Sequence, residues 1–231
     1  MSIAENVAAI RAKMDAAAIA CGRDPKEILL CAATKMNDAD AVRQAITAGV
    51  DLCGENRVQE LVAKQKENAY EGAPIHFIGH LQTNKVKQVV GKVDLIQSVD
   101  SLRLLKAIHA EAAKQGIVQN ILLEINVGNE ESKSGFAPSE VLSILEQISE
   151  FPHIFVQGLM AIPPISQNSG DNRKYFQKIL QLSVDISAKK YDNVLVNCLS
   201  MGMSDDFEDA ICCGSTMIRV GTAIFGKRNY A

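Results

Sequence analysis

The sequence lacks any apolar segment near the roughly 20 residues that a membrane-spanning helix needs. Its N-terminus also lacks the basic and apolar regions of a secretory signal peptide. Its charge is nearly balanced, with a formal net charge of −3 at pH 7, which argues against a protein that works on nucleic acid or on an anionic membrane. No linker or low-complexity segment divides the chain. We therefore expect a soluble, cytoplasmic protein with one domain, residues 1–231.

Motifs for metals and common cofactors are missing as well. The six cysteines form no CxxC pair, and there is no HExxH, GxSxG or zinc-type Cys/His spacing. His76 and His80 are four residues apart, a separation of roughly 13 Å along a strand, which is too far to share a metal ion. Several cysteines lie inside apolar runs, where free Cys behaves as a small hydrophobe. The sequence thus predicts reduced thiols and no metal site.

What the sequence does contain is a series of eight short apolar runs, nearly all followed by a helical pattern. Alternating strand and helix units indicate parallel strands, and eight of them suit a compact (β/α)₈ TIM barrel. An open doubly wound sheet is the main alternative, but no GxGxxG follows the first run. An extra helix is predicted over 2–21, with Ser2 and Glu5 as a capping box. The runs begin at Ile28, Val50, Ile75, Leu95, Ile121, Phe155, Val194 and Met217.

In such a barrel, function belongs at the carboxyl ends of the strands, and a lysine stands at the end of the first. Lys35 closes an apolar run, where partial desolvation would lower its pKa and favour the neutral, nucleophilic amine. The alternative is a strand-end lysine whose amine simply reaches water. Glu55, at the end of the second run, could be a general base or a strand-end carboxylate paired with Arg57 or another cation.

The last two runs meet small, polar turns that suit a phosphate. Glycines let backbone N–H groups approach a ligand closely, and Ser/Thr hydroxyls add donors. These features occur at 200–204 and at Gly221-Thr222, which follow the seventh and eighth runs, where barrels often bind phosphate. The alternative is that the glycines serve only turns and packing. The basic stretch Lys85–Lys92 begins on a helix predicted over 83–91 and ends just beyond it, either as a solvated face or as a docking surface.

Several motifs together resemble one family, the pyridoxal 5′-phosphate homeostasis proteins, which are related to the N-terminal barrel of alanine racemases. One departure is Thr34-Lys35-Met36, since the family usually has Ser-Lys followed closely by Pro. The lysine still ends the first strand, but the loop after it is less certain. The matching motifs span nearly the whole chain: GENRVQE at 54–60, HFIGHLQTNK at 76–85, SKSGF at 132–136, GLMAI at 158–162, LSMGMSDDF at 199–207 and RVGTAIFG at 219–226.

The resemblance implies a barrel that holds pyridoxal 5′-phosphate (PLP), with Lys35 as the internal aldimine. It implies that Ser200, Gly221 and Thr222 contact the phosphate, helped by the backbone of Met201 and Gly202. Arg219 would face the pyridine nitrogen. Asn56 and His80 would lie near the ring and its 3′ oxygen.

An arginine at the ring nitrogen keeps that nitrogen unprotonated, so PLP becomes a weaker electron sink. Racemases that tolerate this use two bases, and the related alanine racemases take the second from an added C-terminal domain. This sequence ends five residues after Gly226, and only Glu55 or His80 could replace that base. The resulting hypothesis is a monomeric PLP carrier that supplies apoenzymes and has little or no catalysis. The alternatives are an amino-acid racemase that uses Lys35 as one base, and a barrel for another phosphorylated metabolite.

Overall fold

The fold was obtained as a computed structural model that describes residues 1–130, 133–165, 168 and 170–226. Eight parallel strands form a closed barrel in chain order, so the prediction of a TIM barrel is confirmed. β1 closes the barrel by pairing with both neighbours, Cys31 with Leu52 and also with Arg219. The strands are β1 Leu29–Ala33, β2 Leu52–Glu55, β3 Ile75–Phe77, β4 Leu95–Val99, β5 Gln119–Ile125, β6 Ile154–Ala161, β7 Val194–Ser200 and β8 Met217–Val220.

Helices follow most strands and pack around the barrel. Short 3₁₀ turns occupy Pro25–Glu27, Thr83–Gln88 and Ile148–Glu150, so the segment predicted as a helix over 83–91 is a shorter 3₁₀ helix. The helices are α1 Ile3–Ala20, α2 Ala39–Thr47, α3 Val58–Lys66, α4 Leu102–Gln115, α5 Val141–Glu146, α6 Arg173–Ser187, α7 Phe207–Cys212 and α8 Thr222–Phe225. None of the helices in these described ranges is long and apolar enough to cross a membrane.

The extra N-terminal helix forms as its sequence predicts. Ser2 accepts a hydrogen bond from the Glu5 N–H while the Glu5 carboxylate accepts one from the Ser2 N–H, which completes the capping box. The buried face of α1 packs against β1, β8, α7 and α8. Its last turn leads to Cys21, which forms a disulfide with Cys212 at the end of α7. The expectation that all six cysteines are free is therefore wrong for this pair, which the chain brings together from 191 residues apart.

Alternate residues of each strand point into the barrel. A small apolar cluster fills the interior with side chains from seven strands, among them Cys31, Leu122 and Met217. A much larger cluster lies between the strands and the outer helices. Successive side chains of a strand point to opposite faces of the sheet. A residue two positions after one of these interior residues therefore also points inward, closer to the barrel mouth. This parity decides which of the predicted residues can reach a ligand.

Candidate functional site

A cavity of about 720 Å³ opens where β1, β2, β6, β7 and β8 end, and we call it the lysine cavity. It brings together five residues that the sequence indicates as site residues: Lys35, Asn56, Arg219, Gly221 and Thr222. These residues come from the first, second and eighth strands, which are neighbours in the closed barrel. The rest of its lining is Met1, Asn6, Ala33, Ile78, Ile162, Met203, Ser204, Asp205, Ala223 and Gly226.

The backbone around Lys35 is held on both sides by charged side chains of α3. The Lys64 ammonium donates to the carbonyl oxygen of Thr34 at 2.7 Å, and Glu60 accepts from the N–H of Met36 at 2.6 Å. Met36 has φ of 62°, a left-handed conformation that a non-glycine residue keeps only where its surroundings hold it. The half-buried Lys35 therefore extends from a fixed segment and not from a loose loop.

Glu55 lies outside the lysine cavity, between β2 and α3. Its side chain is wholly buried, and one oxygen, Oε1, receives hydrogen bonds from Lys64 at 2.5 Å, Thr34 at 2.5 Å and Tyr70 at 3.0 Å. Burial and the Glu55 carboxylate raise the pKa of Tyr70, so this phenol stays protonated as a donor. Of the two alternatives for Glu55, the structure supports the ion-paired carboxylate, and the cation is Lys64.

Arg219 is a buried cation at the edge of the cavity, with 5% of its surface exposed. Its Nη1 donates to the carbonyl and hydroxyl oxygens of Ser200, at 2.6 and 2.5 Å, and its Nη2 donates to the carbonyl of Ala161 at 3.0 Å. All three acceptors are neutral, and no carboxylate among the described residues pairs with it. Burial lowers the pKa of Arg219, but a guanidinium remains protonated near neutral pH. The cavity is therefore positively polarised at this wall.

Three predicted phosphate contacts are not in the cavity lining. Ser200 is 0% exposed, and its hydroxyl hydrogen-bonds Gln97 and Arg219 inside the barrel. The N–H of Met201 is bonded to the carbonyl of Met217, and the carbonyl of Gly202 accepts from the N–H of Arg219. The expectation that Ser200 contacts a phosphate therefore stays a prediction, since its hydroxyl is engaged by Gln97 and Arg219 and lies outside the cavity lining.

The start of α8 and the turn after β7 form the part of the cavity wall whose donors suit a phosphate. Thr222 and Ala223 are the first two residues of α8, so their backbone N–H groups have no acceptor within the helix. Gly221, Thr222 and Ala223 all line the cavity, opposite Ser204 and Met203. Asn6 of α1 donates to the carbonyl of Ile224 at 2.8 Å and so ties α8 to the N-terminal helix.

Asn56 follows β2 and presents an unsatisfied acceptor. Its Oδ1 is buried without a hydrogen-bond partner among the residues that the structure describes. Gly79 packs directly against its backbone, where a Cβ would lie 2.2 Å from the Asn56 carbonyl oxygen. Only glycine allows so close an approach. The GENR and FIGH motifs thus meet at one contact that fixes Asn56 in the cavity wall.

His80 lies in a different cavity, of about 700 Å³, which we call the histidine cavity. Its Nδ1 is 3.1 Å from Asp100, and its side chain is 61% exposed. The loops after β3, β4 and β5 form this cavity, with Thr83, Arg103 and Lys133 in its lining. The expectation that His80 lies near the ring and its 3′ oxygen stays a prediction, and the structure places this residue outside the lining of the lysine cavity. Ser132, the first residue of the SKSGF motif, lies outside the described residues.

One ionisable residue of the barrel mouth was missed by the sequence reasoning. Glu124 is an inward-facing residue near the end of β5, two positions after the interior residue Leu122. Burial, followed by the charge of Asp100, raises its pKa to about 7, against the opposing effect of Arg219 and His80. The signal that could have found it is a single carboxylate within the apolar run ILLEINV.

Comparisons with known proteins agree with this architecture. Residues 2–229 match the family described as alanine racemase, N-terminal domain. Curated pyridoxal phosphate homeostasis proteins from Aquifex aeolicus and from Escherichia coli K12 are each 40% identical. The first match covers 100% of both chains, and the second covers 99% of this chain and 98% of its relative.

Solved structures of similar proteins also share this fold. A protein of unknown function from Bifidobacterium adolescentis superposes with a TM-score of 0.91 at 38% identity, over 96% of this chain and 94% of the other. PipY of Synechococcus elongatus with PLP bound superposes with a TM-score of 0.83 at 31% identity, over 97% and 100% of the two chains. An alanine racemase from Clostridium difficile shares the fold alone, at 16% identity and a TM-score of 0.67, with 53% of its chain covered. By its family match and by these full-length relatives, the chain belongs to the pyridoxal phosphate homeostasis protein family.

Proposed function

We propose that this protein binds PLP in the lysine cavity and takes part in PLP homeostasis, holding the cofactor for storage or transfer. The observation that carries the proposal is that an amine and a buried cation share one cavity, Lys35 at the end of β1 and Arg219 on the adjacent β8. PLP has an aldehyde, a ring nitrogen with a lone pair and a phosphate. The cavity offers a complementary group for each.

The fit can be followed residue by residue. Lys35 would hold the aldehyde carbon covalently through its Nζ, with loss of one water molecule. Two N–H groups of Arg219 remain beyond the three that bond Ser200 and Ala161, so the guanidinium can donate to a ring nitrogen. The N–H groups of Thr222 and Ala223 suit the phosphate, helped by Gly221 and the hydroxyl of Ser204. Asn56 supplies a further polar contact.

The arrangement favours holding PLP over using it. When bound, PLP acts as an electron sink for carbanions, and this capacity falls when an arginine keeps its ring nitrogen unprotonated. Both residues that the sequence offered as a second base are placed elsewhere. Glu55 is sealed against α3, and His80 pairs with Asp100 in the histidine cavity. Transfer to apoenzymes, a monomeric state and a cytoplasmic location remain predictions.

Lys35→Ala tests the proposal directly. Wild-type protein mixed with PLP should show the absorbance of lysine-bound PLP, and borohydride reduction should leave one pyridoxyl phosphate group on Lys35. Lys35→Ala should lose both signals because its side chain has no amine. Lys106→Ala, which removes an exposed lysine of α4, is the matched control and should keep both.

Two outcomes would overturn the proposal. One is wild-type protein that takes up no PLP and instead binds another phosphorylated metabolite in this cavity. The other is turnover of L- or D-amino acids, followed by optical rotation, at an ordinary enzymatic rate of about 1 s⁻¹ or more, since a carrier has no need of it.

A further inference from the structure

Four buried polar side chains form one hydrogen-bonded chain across the barrel interior. His76 of β3 lies 2.8 Å from the amide nitrogen of Gln97 on β4. The amide oxygen of Gln97 lies 2.6 Å from the hydroxyl of Ser200 on β7, on the opposite side of the barrel. The hydroxyl of Ser200 then meets the guanidinium of Arg219 on β8 at 2.5 Å. All four residues are at most 7% exposed, and we call them the interior relay.

In one arrangement of protons, each hydrogen bond of the interior relay joins a donor to an acceptor. A guanidinium can only donate, so the Ser200 oxygen accepts from Arg219 and its own proton goes to the Gln97 oxygen. That orientation turns the Gln97 NH₂ group toward Nδ1 of His76, which must therefore be an acceptor. His76 is then neutral and carries its proton on Nε2. Its burial acts in the same direction, since it lowers the pKa of His76 to about 4.

We infer that His76 and Gln97 are positioning residues that act through Ser200 to hold the Arg219 guanidinium at the lysine cavity. Neither residue lines that cavity, so neither can touch a ligand in it. Their effect passes through Ser200, because Gln97 accepts the hydroxyl proton and so turns the lone pairs of that oxygen toward Arg219. Where the function proposed above holds, on which this step rests, the interior relay sets how Arg219 meets the ring nitrogen of PLP.

The interior relay adds to two hydrogen bonds that Arg219 donates to backbone carbonyls, those of Ser200 and Ala161. Among the described residues, the Arg219 side chain bonds to neutral oxygens and to no others, those of Ser200 and Ala161. Glu124 and Asp206 influence it electrostatically without forming a salt bridge within the described part of the chain. A carboxylate partner would hold Arg219 more firmly but would also neutralise it. A neutral relay instead orients the cation and leaves its charge directed at the cavity.

The interior relay can be tested with and without PLP. In ¹⁵N NMR spectra of the protein alone, the His76 imidazole should show the Nε2–H tautomer, and the guanidinium N–H signals of Arg219 should exchange slowly with solvent. His76→Leu and Ser200→Ala should broaden or speed the exchange of the Arg219 signals. His76→Gln, whose amide oxygen can still accept from Gln97, should restore them. Ser183→Ala, a buried serine of α6 outside the interior relay, is the matched control and should leave them unchanged.

With PLP present, His76→Leu and Ser200→Ala should still be labelled on Lys35 by borohydride. Their PLP dissociation constants should rise by about tenfold, which corresponds to about 1.4 kcal/mol. The pH midpoint of the bound-PLP absorbance should also shift in these variants and return in His76→Gln. A His76 that is protonated on Nδ1, or Arg219 signals unaffected by His76→Leu, would overturn the inference. Failure of wild-type protein to bind PLP would overturn the proposed function alone, because the NMR result does not depend on it.

Discussion

Lys64→Met should lower the free energy of unfolding by about 3–5 kcal/mol, the usual cost of removing one partner from a buried ion pair. The Lys64 ammonium is the cation that neutralises Glu55, whose side chain is 0% exposed. Its removal leaves a buried carboxylate whose remaining donors, within the described part of the chain, are Thr34 and Tyr70. It also removes the hydrogen bond that holds the carbonyl of Thr34, next to Lys35. Denaturant unfolding monitored by circular dichroism measures the loss.

The double variant Glu55→Gln/Lys64→Met should recover a large part of that loss. Glutamine keeps an oxygen for the hydroxyls of Thr34 and Tyr70, and no uncompensated charge remains buried. Lys66→Met, on the same helix but exposed, should stay within about 0.5 kcal/mol of the wild type. If the double variant were no more stable than Lys64→Met, the buried charge would not be the cause.

Two groups of the barrel interior should give opposite pH dependences of stability that nearly cancel. His76 has a folded-state pKa lowered from 6.5 to about 4, so the unfolded chain binds more protons between these values and stability falls as the pH drops through this window. Glu124 has a folded-state pKa raised from 4.5 to about 7, so its contribution is present at low pH and is lost as the pH rises through that window. Each effect amounts to about 3 kcal/mol.

Each variant should therefore reveal the effect of the other group. As the pH rises from 4.5 to 7, the stability of Glu124→Gln relative to the wild type should increase by about 3 kcal/mol. The variant lacks the carboxyl group whose ionisation destabilises the wild type over this range. As the pH rises from 4 to 6.5, the stability of His76→Leu relative to the wild type should decrease by a similar amount. The wild type gains stability over this range as the imidazole loses its proton, and the variant does not. The neighbouring charges that affect these pKa values are Asp94 for His76, and Asp100, Arg219 and His80 for Glu124. Denaturant titrations at half-unit pH intervals measure both slopes. Parallel pH profiles for wild type and either variant would contradict the corresponding pKa shift.

The architecture could be read from the sequence because it depends on local patterns. Short apolar runs separated by helical segments specify parallel strands, and their number and spacing fit only a few folds. Lys35 ends the first run and Gly221-Thr222 follows the last. These residues were therefore expected on the same face of the barrel, because the carboxyl ends of all its strands lie there. The capping box of Ser2 and Glu5 is also local, and it forms as its spacing predicts.

Side-chain direction could not be read in the same way. The barrel strands are buried on both faces, so their sequences lack the alternation of polar and apolar residues that would show which side faces inward. One position separates Gly54, which faces the interior, from Glu55, which faces α3. Ser200 and Arg219 both face the interior, but the Ser200 hydroxyl is engaged there by Gln97 and Arg219 and does not line the cavity. The Cys21–Cys212 disulfide likewise depends on how α1 packs against α7, at a sequence separation of 191 residues.

The sequence alone thus determined the barrel, its extra helix and the lysine and glycine positions at its mouth, because these depend on periodicity and on chain order. Only the tertiary structure decided which side chains share the lysine cavity with Lys35. In that structure, Arg219 lines the lysine cavity and is hydrogen-bonded to Ser200, which is linked to Gln97 and His76. His80 lies in the histidine cavity, and Glu124 lies at the barrel mouth. The physical reason is that strand parity and barrel closure are set by packing over the whole chain, and no local segment of the sequence encodes them.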